Sequence, residues 1–362
     1  MLVELRFQRK SRMQIVSMTS IEKIKQLSDI IDAQLVPVIN KNGKAKKCIY
    51  LDLPYHTNIG DTLIWRGIEH FLKRTGLKCL YQTSYRTYSR QKMESITKRE
   101  DKAQKNVIFL HGGGNFGDLW EAHQIFRKEI IRNNPYNQII VLPQTVFYHD
   151  KNKMKADAEI FARHKNLTIC ARDKKSHDIL KENFQNDILL VPDMAFCIPQ
   201  KELRKHALPV IPQSVLLFKR TDKELDSSVD YSQYISEKHF KTHDWITIEK
   251  EYREAYLLNK FITNRKIPNF FADLYAQNVF KKTMIKEGVR QISIYENIYT
   301  TRLHVAILSI LLGKPFVFFD NSYGKNSFFF ETWLDDLRDV SFIRADKPAK
   351  VGADAMRRDV FP

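Results

Sequence analysis

The chain has 362 residues, 43% hydrophobic and 12% aromatic, enough apolar material for two ordinary domains and too much for global disorder. Its formal charge of +17 favours negative partners such as phosphorylated substrates, an anionic membrane face or nucleic acid. The basic residues are scattered, as at 41–47, 98–105 and 201–205, and no ordered nucleic-acid motif accompanies them, so nucleic acid is not expected.

The stretch before Met18 carries Arg6, Arg9, Lys10 and Arg12 but no apolar run of signal-peptide length, and reads as poorly structured. Residues 21–34 have helical apolar spacing through Ile21, Ile24, Leu27, Ile30 and Ile31. Strand and helix signals then alternate: a strand at 48–53, a helix at 61–74 closed by Gly76, and a strand at 107–110. A glycine loop, a helix near 119–132 and a strand at 138–142 follow. Next come a helix at 153–164, a strand at 167–171, a helix at 174–184 and a strand at 188–191. This alternation predicts a parallel doubly wound sheet. Pro199, Pro209 and Pro212 mark a boundary, after which a strand at 215–218 begins a second half. The charged stretch 224–266 shows no strand signal and reads as helical. Tyr275 to Met284 marks a helix, 292–294 a strand, 304–312 a hydrophobic helix and 316–319 the last strand; the tail after Arg344 reads as polar and loose. Cys48, Cys79, Cys170 and Cys197 form no C-x-x-C pair, and Cys48 and Cys170 fall in strands, so free buried thiols in a reducing, cytoplasmic setting are expected. No stretch of about 18 apolar residues occurs that could span a membrane.

Three anion-type loops stand where strands hand over to helices. They are T-N-I-G-D at 57–61, H-G-G-G-N-F-G-D at 111–118 and T-T-R-L-H at 300–304. In the third, a threonine is expected as N-cap, with Arg302 and His304 in the first turn. Two cation-capable side chains there are unfavourable unless an anion sits between them. In the first, Gly60 permits close approach of a ligand, beside Asn58 and Asp61; the plain alternative is a helix-terminal carboxylate. The second formally contains G-x-G-x-x-G, but the next strand ends at Pro143-Gln144 without an acid, no Walker A lysine follows, and no G-x-S-x-G accompanies the H-G-G-G. What survives is a loop open to close approach at Gly113 and Gly114, with Asn115 and Asp118 as ligand-contacting or loop-ordering residues. Arg172 ends a strand on the same rim, its plain alternative being a pair with Asp173 or Asp178. Arg220 and Asp222 could equally pair with each other. The eleven histidines form no ligand set and no D-x-D occurs, so no metal is expected.

In this order, N-I-G-D (58–61), H-G-G-G-N-F-G-D (111–118), L-P-Q-T (142–145), A-R-D (171–173), P-D-M-A (192–195), R-T-D (220–222), R-L-H (302–304) and D-N-S-Y-G-K-N (320–326) resemble the polysaccharide pyruvyl transferase family. The resemblance covers about residues 20–335. It implies an α/β fold of two Rossmann-like domains facing across a cleft, similar to the B-type glycosyltransferase architecture. The expected organisation is a flexible segment 1–20, domains at 21–198 and 213–343 with a linker at 199–212, and a polar tail 344–362. The resemblance also implies phosphoenolpyruvate as donor and a sugar hydroxyl pair as acceptor, giving a cyclic pyruvate ketal without metal or cofactor. It places Asp61, Arg172, Arg302 and His304 around the donor, with Arg220 and His111 as secondary candidates.

Two arginines suit a phosphate and a carboxylate. His304 is the expected general acid for the methylene carbon and Asp61 the acceptor of a hydroxyl proton. The basic surface suits a lipid-diphosphate-linked acceptor at the inner membrane face. A B-type glycosyltransferase using a nucleotide sugar, and a non-catalytic module binding anionic glycans, are the competing readings.

Overall fold

The computed structural model describes residues 17–351 except 42, 44, 98–105, 223, 228, 236–238, 246–251, 265 and 345–346, with backbone alone at 347–351. Most of the expected N-terminal segment and the end of the tail lie outside the described residues. Two sheets carry the fold. The first contains β1 (Lys47–Leu51), β2 (Lys78–Thr83), β3 (Asn106–Leu110), β4 (Gly113–Gly117), β5 (Gln138–Phe147), β6 (Leu167–Ala171) and β7 (Asp187–Leu190). Its order is β2-β1-β3-β5-β6-β7, all parallel, and β4 continues the line of β3 along the far end of β5. The second contains β8 (Ile211–Phe218), β9 (Lys241–His243), β10 (Tyr295–Thr300), β11 (Phe316–Phe319), β12 (Val340–Arg344) and β13 (Lys347–Val351). Its order is β13-β12-β11-β10-β8-β9, parallel except for β13.

The helices are α1 (Ser20–Ile39), α2 (Ile59–Arg74), α3 (Arg90–Thr97), α4 (Glu121–Asn133), α5 (Lys151–Ala162), α6 (Lys174–Asn183), α7 (Gln200–Arg204), α8 (Arg253–Thr263), α9 (Asn269–Tyr275), α10 (Lys281–Ser293), α11 (Leu303–Leu312) and α12 (Lys325–Trp333). A π turn, Ala276–Phe280, joins α9 to α10. Period-two alternation sorts the strand side chains. Cys48 and Tyr50 face a core that also holds Leu216 and Phe218 of the other sheet, whereas Ile49 and Leu51 face an outer cluster with Phe116 and Phe161. Val215, Leu217 and Phe319 form the outer core of the second sheet. α1, α2, α10 and α11 supply Leu27, Trp65, Met284 and Ile307 to the core shared by both sheets.

Several elements differ from the sequence reading. The glycine segment is strand β4 and not an open loop. Residues 292–294 close α10, and the strand starts at Tyr295, because Ile292 faces the core as part of the helical stripe with Met284, Ile285 and Val289. The 224–266 stretch holds β9, an edge strand whose three side chains are all exposed and so give no apolar signal. β2, α3, β12 and β13 were absent from the sequence reading, and β11 is followed by two more strands. The segment 199–212 carries α7 and the start of β8. Cys48 and Cys170 are buried free thiols, as expected.

Candidate active site

A cavity of about 800 Å³ opens at the carboxyl ends of strands from both sheets. Its floor lies at the strand-order reversals: β1 and β3 in the first sheet, β8 and β10 in the second. Parallel α/β sheets collect ligands at such reversals. After β1, Asn58 caps α2: its Oδ1 accepts from Gly60 N at 3.0 Å, and its Nδ2 donates to Asp61 Oδ2 at 2.9 Å. Asn58 thus fixes the carboxylate it stands beside. Burial pushes the Asp61 carboxyl up, but His56, His304, His111 and Arg172 together prevail and hold it below the usual carboxylate range. A Cβ on Gly60 would stand 2.4–2.7 Å from the His304 side chain. The glycine is what admits the histidine.

His304 begins α11 from the second half. Its Nε2 lies 3.2 Å from Asp193 Oδ2, and that oxygen also accepts from Arg172 Nη1 at 3.0 Å. Arg172 Nε donates to Thr145 Oγ1 at 2.8 Å, and Trp333 of α12 holds the Arg172 carbonyl. Burial disfavours the Asp193 charge, yet His304, Arg172 and the Ala195 N–H hold its carboxyl far below the usual range. Arg172 therefore pairs with Asp193, and not with Asp173, whose carboxylate caps α6 through Ser176.

The threonine N-cap expected for α11 is corrected: Arg302 is the N-cap residue, and Thr300 Oγ1 accepts from its N–H. The anion beside Arg302 is protein. Its Nε and Nη2 donate to the two oxygens of Asp244 at 2.7 Å each, and its Nη1 to Asp222 at 2.8 Å. Arg220 is likewise taken, by Asp222 at 2.8 Å and Glu224 at 2.9 Å. Neither arginine keeps an open fork, so Arg302 is not the free anion clamp of the sequence reading.

The open cationic face lies elsewhere. Among the described residues, Arg172 Nη2 has no protein acceptor, and it converges with Lys325 Nζ over Gly114. A Cβ at Gly114 would lie 3.3 Å from the former and 2.6 Å from the latter. Lys325 has Glu224 as its carboxylate partner, at 3.3 Å. Burial lowers its pKa, with Glu224 opposing. Gly113 sits at φ +122°, and a Cβ there would approach Asp61 Oδ1 at 3.3 Å. His111 is buried. Its Nδ1 pairs with the Tyr50 hydroxyl, its Nε2 has no partner, and burial lowers its pKa to about 4. Asn115 is held by Arg127 at 2.7 Å. Asp118 orders a loop by accepting from the His149 and Asp150 N–H groups.

Asp193, Asp244 and Lys325 were not singled out from sequence. Two of them sat inside matched motifs, P-D-M-A and G-K-N; Asp244 had no signal because β9 had none. Among the described residues no group of three or more His, Cys, Asp or Glu side chains is placed to hold a metal, and no helix is long and apolar enough to cross a membrane.

The fold and cavity together define an α/β protein with a cavity lined by cations and carboxylates at the strand carboxyl ends. The chain belongs to the polysaccharide pyruvyl transferase family, whose model matches residues 58–323. It is 32% identical over 311 residues to EpsO of Bacillus subtilis, whose name assigns it provisionally to pyruvyl transfer, covering 83% of this chain and 89% of that one. It is 28% identical to Pyruvyl transferase 1 of Schizosaccharomyces pombe, over 80% of this chain and 70% of the relative. In fold it is similar to a crystal structure of an uncharacterized Klebsiella pneumoniae protein, with a TM-score of 0.55 at 18% identity, covering 86% of this chain and 98% of that one. Family membership assigns the chain to pyruvyl transfer in polysaccharide synthesis.

Proposed function

We propose that the protein transfers the pyruvyl group of phosphoenolpyruvate to a hydroxyl pair of a lipid-linked glycan, forming a cyclic ketal. Its two halves would face each other in the B-type glycosyltransferase manner. The observation that carries this reading is the convergence of Arg172 Nη2 and Lys325 Nζ over Gly114, beside Asp61 and His304. A donor with two anionic groups suits a cavity wall that carries both cations, since charge-assisted hydrogen bonds to a phosphate or carboxylate are strong in a partly dry site. His304, oriented by Asp193, gives a proton to the methylene carbon. The C2 centre so formed takes the first sugar oxygen while Asp61, ionised, receives that hydroxyl's proton. The second sugar oxygen then displaces phosphate. No cofactor is part of the proposal, and cytoplasmic placement with peripheral membrane contact is.

The test is phosphate release from phosphoenolpyruvate in the presence of glucose-, galactose- or mannosamine-type acceptors. Release that depends on acceptor supports the reading. Tight binding of a nucleotide sugar, with no response to phosphoenolpyruvate, replaces it with glycosyl transfer.

A further inference from the structure

One group of cavity-lining residues is built differently. Tyr85 and Trp120 stand on the cavity rim, 36% and 41% exposed. Beside them His123 Nδ1 lies 2.9 and 3.0 Å from the two carboxylate oxygens of Asp52, and the Tyr85 ring meets the imidazole edge-on at 5.0 Å between centroids. With Nδ1 held by a carboxylate, Nε2 is the nitrogen left for a ligand. Asp52 is buried and follows β1 directly, at φ +69°. That left-handed conformation is unfavourable for a residue with a Cβ, and strain of this kind gathers at functional sites. Burial disfavours the His123 imidazolium. The charge and hydrogen bond of Asp52 outweigh it and raise the histidine's pKa, with Asp61 helping and Arg127 opposing. Nothing in the donor chemistry uses these four residues.

We infer that this group is the sugar subsite for the acceptor, with Tyr85 and Trp120 as its walls and the Asp52–His123 pair as receiver of one hydroxyl proton. The proton-receiving part rests on the pyruvyl-transfer reading. A pyranose offers an apolar C–H face and a polar hydroxyl edge, which an aromatic wall beside a hydrogen-bonding pair matches. Ketal formation also needs more than one proton acceptor. The first O–C bond forms at C2 as the methylene carbon gains a proton. The second forms as the C–O bond to phosphate breaks, with phosphate leaving on that electron pair. Both hydroxyls lose a proton: over the cycle one replaces the proton that His304 gave to the methylene carbon and the other ends on the departing phosphate, so the products are the ketal and hydrogen phosphate. Asp61 takes one of these protons, and His123 takes the other. Asp52 acts through His123 as a positioning residue.

The experiment uses the full chain and three probes: methyl glucoside, methyl galactoside and methyl N-acetylmannosaminide. Sugar binding is read by saturation-transfer NMR, and phosphoenolpyruvate binding separately by calorimetry. At least one glycoside should bind the wild type. Trp120→Ala and Tyr85→Ala should each weaken that binding about tenfold while phosphoenolpyruvate affinity stays unchanged. His123→Gln and Asp52→Asn should keep glycoside binding but slow single-turnover ketal formation by about a hundredfold. No glycoside binding to the wild type, or binding that survives both aromatic substitutions, overturns the subsite. Unchanged turnover in His123→Gln removes the proton role. Failure of phosphoenolpyruvate to bind would sink the donor reading, while the NMR result still decides the subsite.

Discussion

Asp193 and His304 come from opposite halves of the molecule and meet at 3.2 Å, through the same carboxylate oxygen that holds Arg172. One buried carboxylate thus sets both the proposed general acid and the cation proposed to face the donor. Asp193→Asn should cost about 3 kcal/mol of stability, because removing one member of a buried ionic set strands the others. Turnover should fall by about a hundredfold or more. Calorimetry and turnover checks read the two effects; a variant with wild-type turnover would show that His304 needs no orienting carboxylate.

Gly60→Ala places a methyl group within 2.4–2.7 Å of the His304 side chain. Alanine is the better helix former, so without the clash the variant would gain roughly 0.5–1 kcal/mol. With it, the expectation is a loss of about 1–3 kcal/mol, as in other overpacked sites, and near-complete loss of turnover. Adding His304→Ala should restore the stability but not the activity. Additive losses in the double variant would mean the two residues are not in contact.

The saturated and open cations should separate in the same assays. Arg302→Ala takes the ion-pair partner from the Asp244 carboxylate, whereas Asp222 keeps Arg220, so its melting temperature should drop together with activity. Lys325→Met leaves Arg220 on Glu224, so it should lose phosphoenolpyruvate affinity by about tenfold or more with a smaller stability change. A thermally silent Arg302→Ala with abolished donor binding would restore the anion clamp to Arg302.

That reversal shows where the sequence stops. The rim was legible because strands such as β1, β3 and β6 are continuous apolar runs, and the residues just past them are named by position alone. Asn58, Asp61, His111, Arg172, Arg220 and His304 all line the cavity for that reason. Which cations are open was not legible. It depends on Asp244 and Asp193, 58 and 111 residues away in the chain from the side chains they hold. The glycine segment misled for a related reason: β4 gains its partner from the far half of β5, beyond Pro143, and no local pattern announces a pairing of that kind.

His111 contributes to the pH dependence, as do His56, His70 and His164, whose pKa values burial also lowers. Burial lowers the His111 pKa to about 4, below the ordinary 6.5. Between those values the unfolded chain binds a proton that the folded chain refuses, so stability rises with pH across this window and is fully present above about 6.5. A shift of this size amounts to roughly 3 kcal/mol. His111→Asn should flatten the stability profile between pH 4 and 6.5, measured by denaturant melts at each pH. An unflattened profile would assign the slope to other groups.

The surface next to the cavity makes the membrane contact testable. Phe270, Phe271 and Leu274 on α9 are 55%, 50% and 47% exposed. In and beyond the π turn, Asn278, Lys282 and Lys286 line a groove. Lys73 and Lys205 line the groove alongside. Asn269, at the start of α9, donates to the Thr87 carbonyl, two residues from the rim residue Tyr85. A bilayer on this face would bring a lipid-linked acceptor to the cavity mouth. Aromatic side chains at the acyl boundary with lysines over anionic headgroups are the usual composition of a peripheral membrane surface, each lysine adding about 1 kcal/mol. The protein should cosediment with anionic but not zwitterionic vesicles, and less so as salt rises. Phe270→Ser with Phe271→Ser, and separately Lys282→Glu with Lys286→Glu, should each cut binding by about tenfold or more while phosphoenolpyruvate affinity is kept. If the wild type stays in the supernatant and instead runs as a dimer that the phenylalanine substitutions dissolve, the face belongs to a second copy of the chain and the membrane contact is wrong.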